Sequence, residues 1–231
     1  MGMSNAAVFI KLADSKKYKV DNIINHLFGK FENISNLRTE GFGFRKPNYV
    51  LVSYHQNGLI IRNAQFINEV LVKRNRELIK RIYDFFDKPE VILTYMHYDS
   101  GGSFGFSYIE NGKITRFRYS LSTDEVTHDF GFPLEEELKI INGSIFFIVD
   151  ENNEREYLYN TVDDPENSKS YYFYNSHLAD AVMKAKIGFG MDPETFETKD
   201  AFVTLKNQSE EIPKKTKNET KKNFFDRLFG G

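Results

Sequence analysis

Residues 90–120 read EVILTYMHYDSGGSFGFSYIENGKITRFRYS, and this stretch decides the fold. Val91 to Tyr98 is almost continuously apolar and rich in β-branched and aromatic residues, the pattern of a strand covered on both faces. Pro89 stands just ahead of it, where a missing N–H costs no ladder bond. Gly101-Gly102 loosens the chain, and Asn111-Gly112 then gives the strongest short signal for a two-residue hairpin, because a type I′ turn needs positive φ at both central residues. With those two as the loop, Glu110 is expected opposite Lys113, Ile109 opposite Ile114, Tyr108 opposite Thr115, Ser107 opposite Arg116 and Phe106 opposite Phe117. One face would then carry Phe104, Phe106, Tyr108, Phe117 and Tyr119, an aromatic ladder that requires a core. The other would carry Ser107, Arg116 and Arg118 beside Ile109 and Ile114.

A related sequence occurs earlier. Residues 52–62 (VSYHQNGLIIR) and 106–116 (FSYIENGKITR) share Ser, Tyr, Asn, Gly, Ile and Arg at matching places. By the same pairing Ser53 is expected to face Arg62. Either the hairpin is duplicated or two Asn-Gly turns converged on similar flanks.

Working outward, Ala7 to Leu12 reads as a first strand. Val20, Ile23, Ile24, Leu27 and Phe28 form an amphipathic stripe that stops at Gly29. Phe31 to Pro47 reads as irregular. Phe66 to Phe86 is expected to be the longest helix, its apolar stripe running from Ile67 to Phe85. Its outer face mixes Lys73, Arg74, Arg76, Lys80 and Arg81 with Glu69, Glu77 and Asp84, which reads as a solvated face. Thr123 to Asn142 reads as loops, with Glu135, Glu136 and Glu137 exposed. Ser144 to Tyr159 is a third hairpin and Asp163 to Ser168 a polar loop. Tyr171 to Tyr174 reads as a short strand. A helix capped by Ser176 then presents Leu178, Ala181, Val182 and Ala185 and ends at Gly188. After a loop from Met191 to Lys199, Ala201 to Leu205 is expected to add an edge strand. The fold class is therefore α+β: a mostly antiparallel sheet of successive β-hairpins with two or three packed helices, in one domain over residues 1–206.

Composition narrows the function classes. With 31 basic and 33 acidic residues the net charge is −2, so no global field draws the chain to nucleic acid or to a membrane. The absence of cysteine excludes disulfides, thiolate metal sites and cysteine nucleophiles, and suits a cytoplasmic location. No basic region followed by an apolar block opens the chain, and no apolar run is long enough to span a bilayer. Residues 207–222 hold five lysines and three glutamates with Ile212 as the sole large apolar residue, and are expected to be a disordered linker. The chain then ends NFFDRLFGG, so Phe224, Phe225, Leu228 and Phe229 read as a short docking peptide for another protein, or as a tail packing on its own domain.

The five histidines make no metal-ligand spacing, and neither a nucleophile elbow nor a phosphate loop occurs, so no metal and no cofactor are expected. Two weaker constellations remain. His97 and Asp99 share a face at a strand end beside Ser100-Gly101-Gly102 and are candidates for acid–base catalysis. Arg62, Arg116 and Arg118 would gather on one sheet face, as an anion- or carboxylate-binding site, if the two hairpins are adjacent.

An ordered set of motifs runs along residues 7–206. Met96-His97 ends a strand, followed by Gly105-Phe106, Asn111-Gly112-Lys113, Arg116, Gly131-x-Pro133-Leu134 with Glu136 or Glu137, Gly188-Phe189, Met191-Asp192-Pro193 and an apolar segment near Phe202. Together they resemble a bacterial family, a domain of unknown function. Its members carry tryptophan near the central strand and hairpin, and this chain has none. The resemblance implies the α+β architecture and marks His97. The leading expectation is a bacterial non-enzymatic protein-binding module, associated with immunity or defence. The alternative is a small enzyme or anion-binding domain using His97, Asp99 and the arginines.

Overall fold

The computed structural model describes residues 4–29, 31–35, 49–55, 57–98, 103–120, 126–151, 154–162, 164–188 and 199–205. The elements are β1 (Ser4–Lys11), α1 (Val20–Leu27), β2 (Phe31–Ser35), β3 (Tyr49–His55), β4 (Gly58–Arg62), α2 (Ala64–Ile67), α3 (Arg76–Phe85), β5 (Val91–Tyr98), β6 (Ser103–Glu110), β7 (Lys113–Ser120), β8 (Val126–Phe130), α4 (Glu135–Gly143), β9 (Ser144–Glu151), β10 (Glu154–Thr161), β11 (Asp164–Ser170), α5 (Tyr174–Ile187) and β12 (Lys199–Leu205). Among the described residues nine strands pair antiparallel in the order β2-β12-β3-β4-β1-β5-β6-β7-β8, and β11-β10-β9 form a second, smaller sheet. The fold is α+β, as the alternating strand and helix patterns imply.

The large sheet is covered on both sides. One face packs Val8, Val52, Ile61, Ile92, Met96 and Phe117 against α1, α2 and α3. The opposite face packs Phe9, Ile60, Leu93, Tyr95, Phe106 and Tyr108 against Ala179, Val182, Met183 and Ile187 of α5. This double covering is why Val91 to His97 can be apolar at nearly every position: all seven are buried. Each such side chain contributes about 1.5–3 kcal/mol on burial.

The hairpin register departs from the simple expectation by one residue. Glu110 pairs with Lys113 and Ile109 with Ile114, but Tyr108 then pairs with Arg116, Ser107 with Phe117 and Phe106 with Arg118. Thr115 is the extra residue of a β-bulge, and because side chains alternate, one inserted residue sends everything beyond it to the other face. The aromatic ladder is thereby split. Phe104, Phe106 and Tyr108 lie on the α5 side with Arg116 and Arg118, while Phe117 and Tyr119 join the core under α1–α3. Gly131 fits against the bulge: its φ is +83°, and a Cβ there would sit 2.0 Å from the Thr115 carbonyl oxygen.

The two similar hairpins close differently. Asn111 and Gly112 have φ of 50° and 75°, the positive values that a type I′ turn uses. In the first hairpin His55 pairs with Gly58 and Leu51 with Arg62, and Ser53 faces Ile60 rather than Arg62. Gly58 is there for a close approach, since a Cβ would lie 2.1 Å from the Ile10 carbonyl oxygen of β1. The shared Asn-Gly therefore serves two distinct local needs.

Other elements also depart from the sequence pattern. The long helix expected over Phe66–Phe86 is broken into α2, a π-helical turn over Asn68–Val72, and α3. Arg74 adopts φ of 51°, and the Asn75 side chain caps α3 by accepting from the Leu78 N–H. The longest helix is α5, which begins at Tyr174; Ser176 lies inside it and donates back to the Phe173 carbonyl. Its buried side carries Leu178, Ala179, Val182 and Met183, with Ala185 exposed. Within the span read as loops, β8 and α4 form, and Glu137 is wholly buried. Asp164–Ser170 is a strand rather than a polar loop. The β2 strand lies in the span read as irregular, and its partner β12 is an inner strand between β2 and β3. The loop expected over Met191–Lys199 and the C-terminal linker lie outside the described residues apart from Lys199, which opens β12.

Replacing Gly131 by alanine forces a side chain against the bulge carbonyl in a left-handed backbone. The expected loss is at least about 2 kcal/mol of unfolding free energy by urea titration, whereas Gly188→Ala, at a positive φ with open space, costs about 1 kcal/mol.

Candidate functional site

The bulge places the Arg116 guanidinium on the α5 side of the sheet, where it is fully buried. Its Nε donates to Glu137 Oε2 and its Nη2 to Glu137 Oε1, both at 2.8 Å, a bidentate pair. Nη1 donates to Asp129 and to the Phe130 carbonyl oxygen at 3.0 Å. Glu137 also accepts from the Leu134 N–H at 2.9 Å, so one carboxylate caps α4 and neutralises the arginine. Arg118 donates to Asp129 and, at 2.9 Å, to Asn175 of α5. Burial works to lower the Arg116 pKa, but hydrogen bonds and charge from Glu137 and Asp129 outweigh it and hold the group more firmly protonated. At Asp129 burial acts to raise the carboxyl, and the two arginines overcome it and hold it below its ordinary value.

These contacts decide what the arginines do. Arg116 and Arg118 fasten β7 to β8, α4 and α5, and their donors point at protein carboxylates. Arg62 is on β4, separated from β7 by β1, β5 and β6. At about 4.8 Å per strand that is roughly 19 Å of sheet, so the three guanidinium groups do not converge. His97 sits at the end of β5, 7% exposed, with its ring 4.6 Å from Phe104. Asp99 and the apolar residues Phe224, Phe225, Leu228 and Phe229 lie outside the described residues. Among the described residues no group of three or more His, Asp or Glu side chains is placed to hold a metal ion.

The charge that is free to act lies elsewhere. A groove of about 800 Å³ opens between the start of α3 and the tip of the β6–β7 hairpin. Lys73, Arg74, Arg76, Lys80 and Lys113 line it with Ile79, Gly112, Ile114 and Phe130, and among the described residues no acidic side chain contributes to the wall. Lys73 is paired with Glu69 at 2.5 Å and Lys80 with Asp84, each one helical turn away. Arg74, Arg76 and Lys113 make no ion pair among the described residues. Arg74 is held by its left-handed backbone and by the Phe117 ring, whose centroid lies 5.4 Å from the guanidinium carbon. Phe130 is 56% exposed at the rim. Clustered cations over an apolar floor suit a carboxylate-bearing or phosphorylated group.

The sequence concealed this groove. Four of its cations stand in the segment read as a solvated mixed-charge helix, and that reading averages Glu69, Glu77 and Asp84 against them. The fifth, Lys113, is 33 residues beyond Lys80. The break at Arg74-Asn75 and the hairpin tip bring the positive charges to one wall. The Asn75 cap was the one local signal of that break.

Compared with known proteins, the chain matches no family model, no curated protein and no solved structure.

The lowered Asp129 pKa fixes the sign of a pH effect. Its contribution to stability is complete above the unfolded value of about 3.9 and is lost as pH falls through the lower folded value. Acid unfolding followed by circular dichroism is therefore expected to steepen below about pH 4 in the parent chain. Asp129→Asn should be less stable near neutrality and should lose part of that acid dependence.

Proposed function

We propose that the protein is a non-catalytic binding module that holds an acidic segment of a partner protein in the groove between α3 and the β6–β7 hairpin. The observation that carries this reading is the all-cationic wall, with Arg74, Arg76 and Lys113 uncommitted to any carboxylate among the described residues. Backbone geometry supports it. Arg74 occupies a left-handed conformation after a π-helical turn, a local cost of the kind kept where a side chain must be aimed.

A protein partner is favoured over nucleic acid. The chain as a whole is slightly acidic, so the positive region is a local groove rather than a track along which a long polyanion could run. Ile79, Ile114 and Phe130 give apolar side chains of a peptide somewhere to rest between the charges. The enzymatic alternative receives less support, because His97 is buried against Phe104 and Arg116 and Arg118 are engaged by carboxylates.

Fluorescence anisotropy with a labelled glutamate-rich peptide containing one phenylalanine tests the reading. Binding should weaken with added salt. The triple variant Arg74→Ser, Arg76→Ser, Lys113→Ser should lose at least about tenfold in affinity, roughly 1.4 kcal/mol, while keeping its circular dichroism spectrum. Equal affinity in parent and variant contradicts the assignment of the groove. Tight binding of a single-stranded oligonucleotide with none of the peptide contradicts the protein-partner reading.

A further inference from the structure

The small sheet leaves an apolar surface that its own layer does not cover. The run Ile145-Phe146-Phe147-Ile148-Val149 on β9 is apolar at every position, the pattern of a strand meant to be covered on both faces. Coverage is partial. Tyr159 on β10 is fully buried against Tyr174 and Leu178. Phe146, opposite Tyr159, packs its ring at 5.0 Å from Tyr174 and at 5.8 Å from Tyr171. Two residues further along the same face, Ile148 and its cross-strand partner Tyr157 are 51% and 54% exposed. Phe146 itself remains 48% exposed, so the three form one continuous ledge.

The strands around this ledge are acidic. The segments 144–151, 154–161 and 164–170 hold six carboxylates, at 150, 151, 154, 156, 164 and 166, against two bases, Arg155 and Lys169. The C-terminal segment has the opposite character. Residues 214–229 carry six bases, five lysines and Arg227, against Glu219 and Asp226, and they end in Phe224, Phe225, Leu228 and Phe229. Apolar ledge meets apolar peptide, and acid meets base. Polymer reach permits the contact. Eighteen residues separate Leu205, the last residue of β12, from Phe224. Extended, they span about 60 Å, whereas a domain of this length has a radius of gyration of about 17 Å.

From these complementarities we infer that residues 214–229 dock in cis on the Phe146–Ile148–Tyr157 ledge, aromatic residues on the ledge and lysines toward its acidic rim. The ledge is separate from the basic groove, and the same-sign lysines of this segment disfavour that groove as its resting place.

The chain contains no cysteine, so paired cysteines give a clean test. The full-length variant Tyr157→Cys, Phe225→Cys should form an intramolecular disulfide with oxidised glutathione at least about tenfold faster than the control Gln65→Cys, Phe225→Cys, because docking raises the local concentration of the two thiols. Equal rates for the two pairs overturn the proposal, and so does a link found only between two chains, which would assign the ledge to a second copy. Hydrogen exchange supplies an independent reading. Replacing Phe224, Phe225, Leu228 and Phe229 by serine should deprotect amides of 144–161 while those of β5 and β6 stay unchanged; unchanged exchange at 144–161 also overturns it.

Discussion

A guanidinium with no solvent contact must be answered by charge on every side it presents, and the arrangement around Arg116 follows from that requirement. The residue is buried because Thr115 bulges out of the β6–β7 ladder and rotates the strand by one position. Once inside, it needs a carboxylate with two free oxygens, and Glu137 supplies one from the first turn of α4. It needs a further anion and carbonyls, which Asp129 and Phe130 supply from β8. A buried pair of this kind is weak evidence of net stabilisation, since dehydrating both ions costs nearly what their attraction returns. What the contacts do is tie β8, α4 and the bulge together through one guanidinium.

The bulge also acts on the opposite face. By turning Phe117 toward the helices it puts an aromatic ring under the Arg74 guanidinium, and Arg74 is one wall of the basic groove. One inserted residue thus positions an arginine to be neutralised on one side of the sheet and helps aim another at solvent on the other. The distinction matters for function. Arg116 and Arg118 are attractive as ligand-binding residues until their partners are seen, whereas Arg74, Arg76 and Lys113 keep their charge available.

Much of the architecture was legible from local chemistry. Double-sided burial of Val91–His97, the Asn111-Gly112 turn, the α1 stripe and the stop at Gly188 each follow from short-range rules that no distant contact overrides. Misreadings arose where a distant partner decides the outcome. The β2 strand exists because β12, far along the chain, pairs with it. Glu137 looks like one of three surface acids and is buried because Arg116 lies 21 residues before it. The bulge leaves no obvious mark in the hairpin itself, and its complement Gly131 stands in a stretch that reads as loops. Arg116, Glu137 and Gly131 all serve the bulge and the clamp around it. Their physical role is to hold the hairpin, which is compatible with many functions.

The account stands or falls on whether the buried pair couples the sheet to α4, since the register, the bulge and the disposition of both sets of arginines depend on it. A double-mutant cycle on unfolding free energy with Arg116→Met, Glu137→Met and the combined variant measures that coupling directly. A coupling energy of about 2–3 kcal/mol, with the double variant more stable than the sum of the single losses implies, is the predicted result. Single losses that add to within about 0.5 kcal/mol would contradict it, and would mean that the hairpin register is set elsewhere.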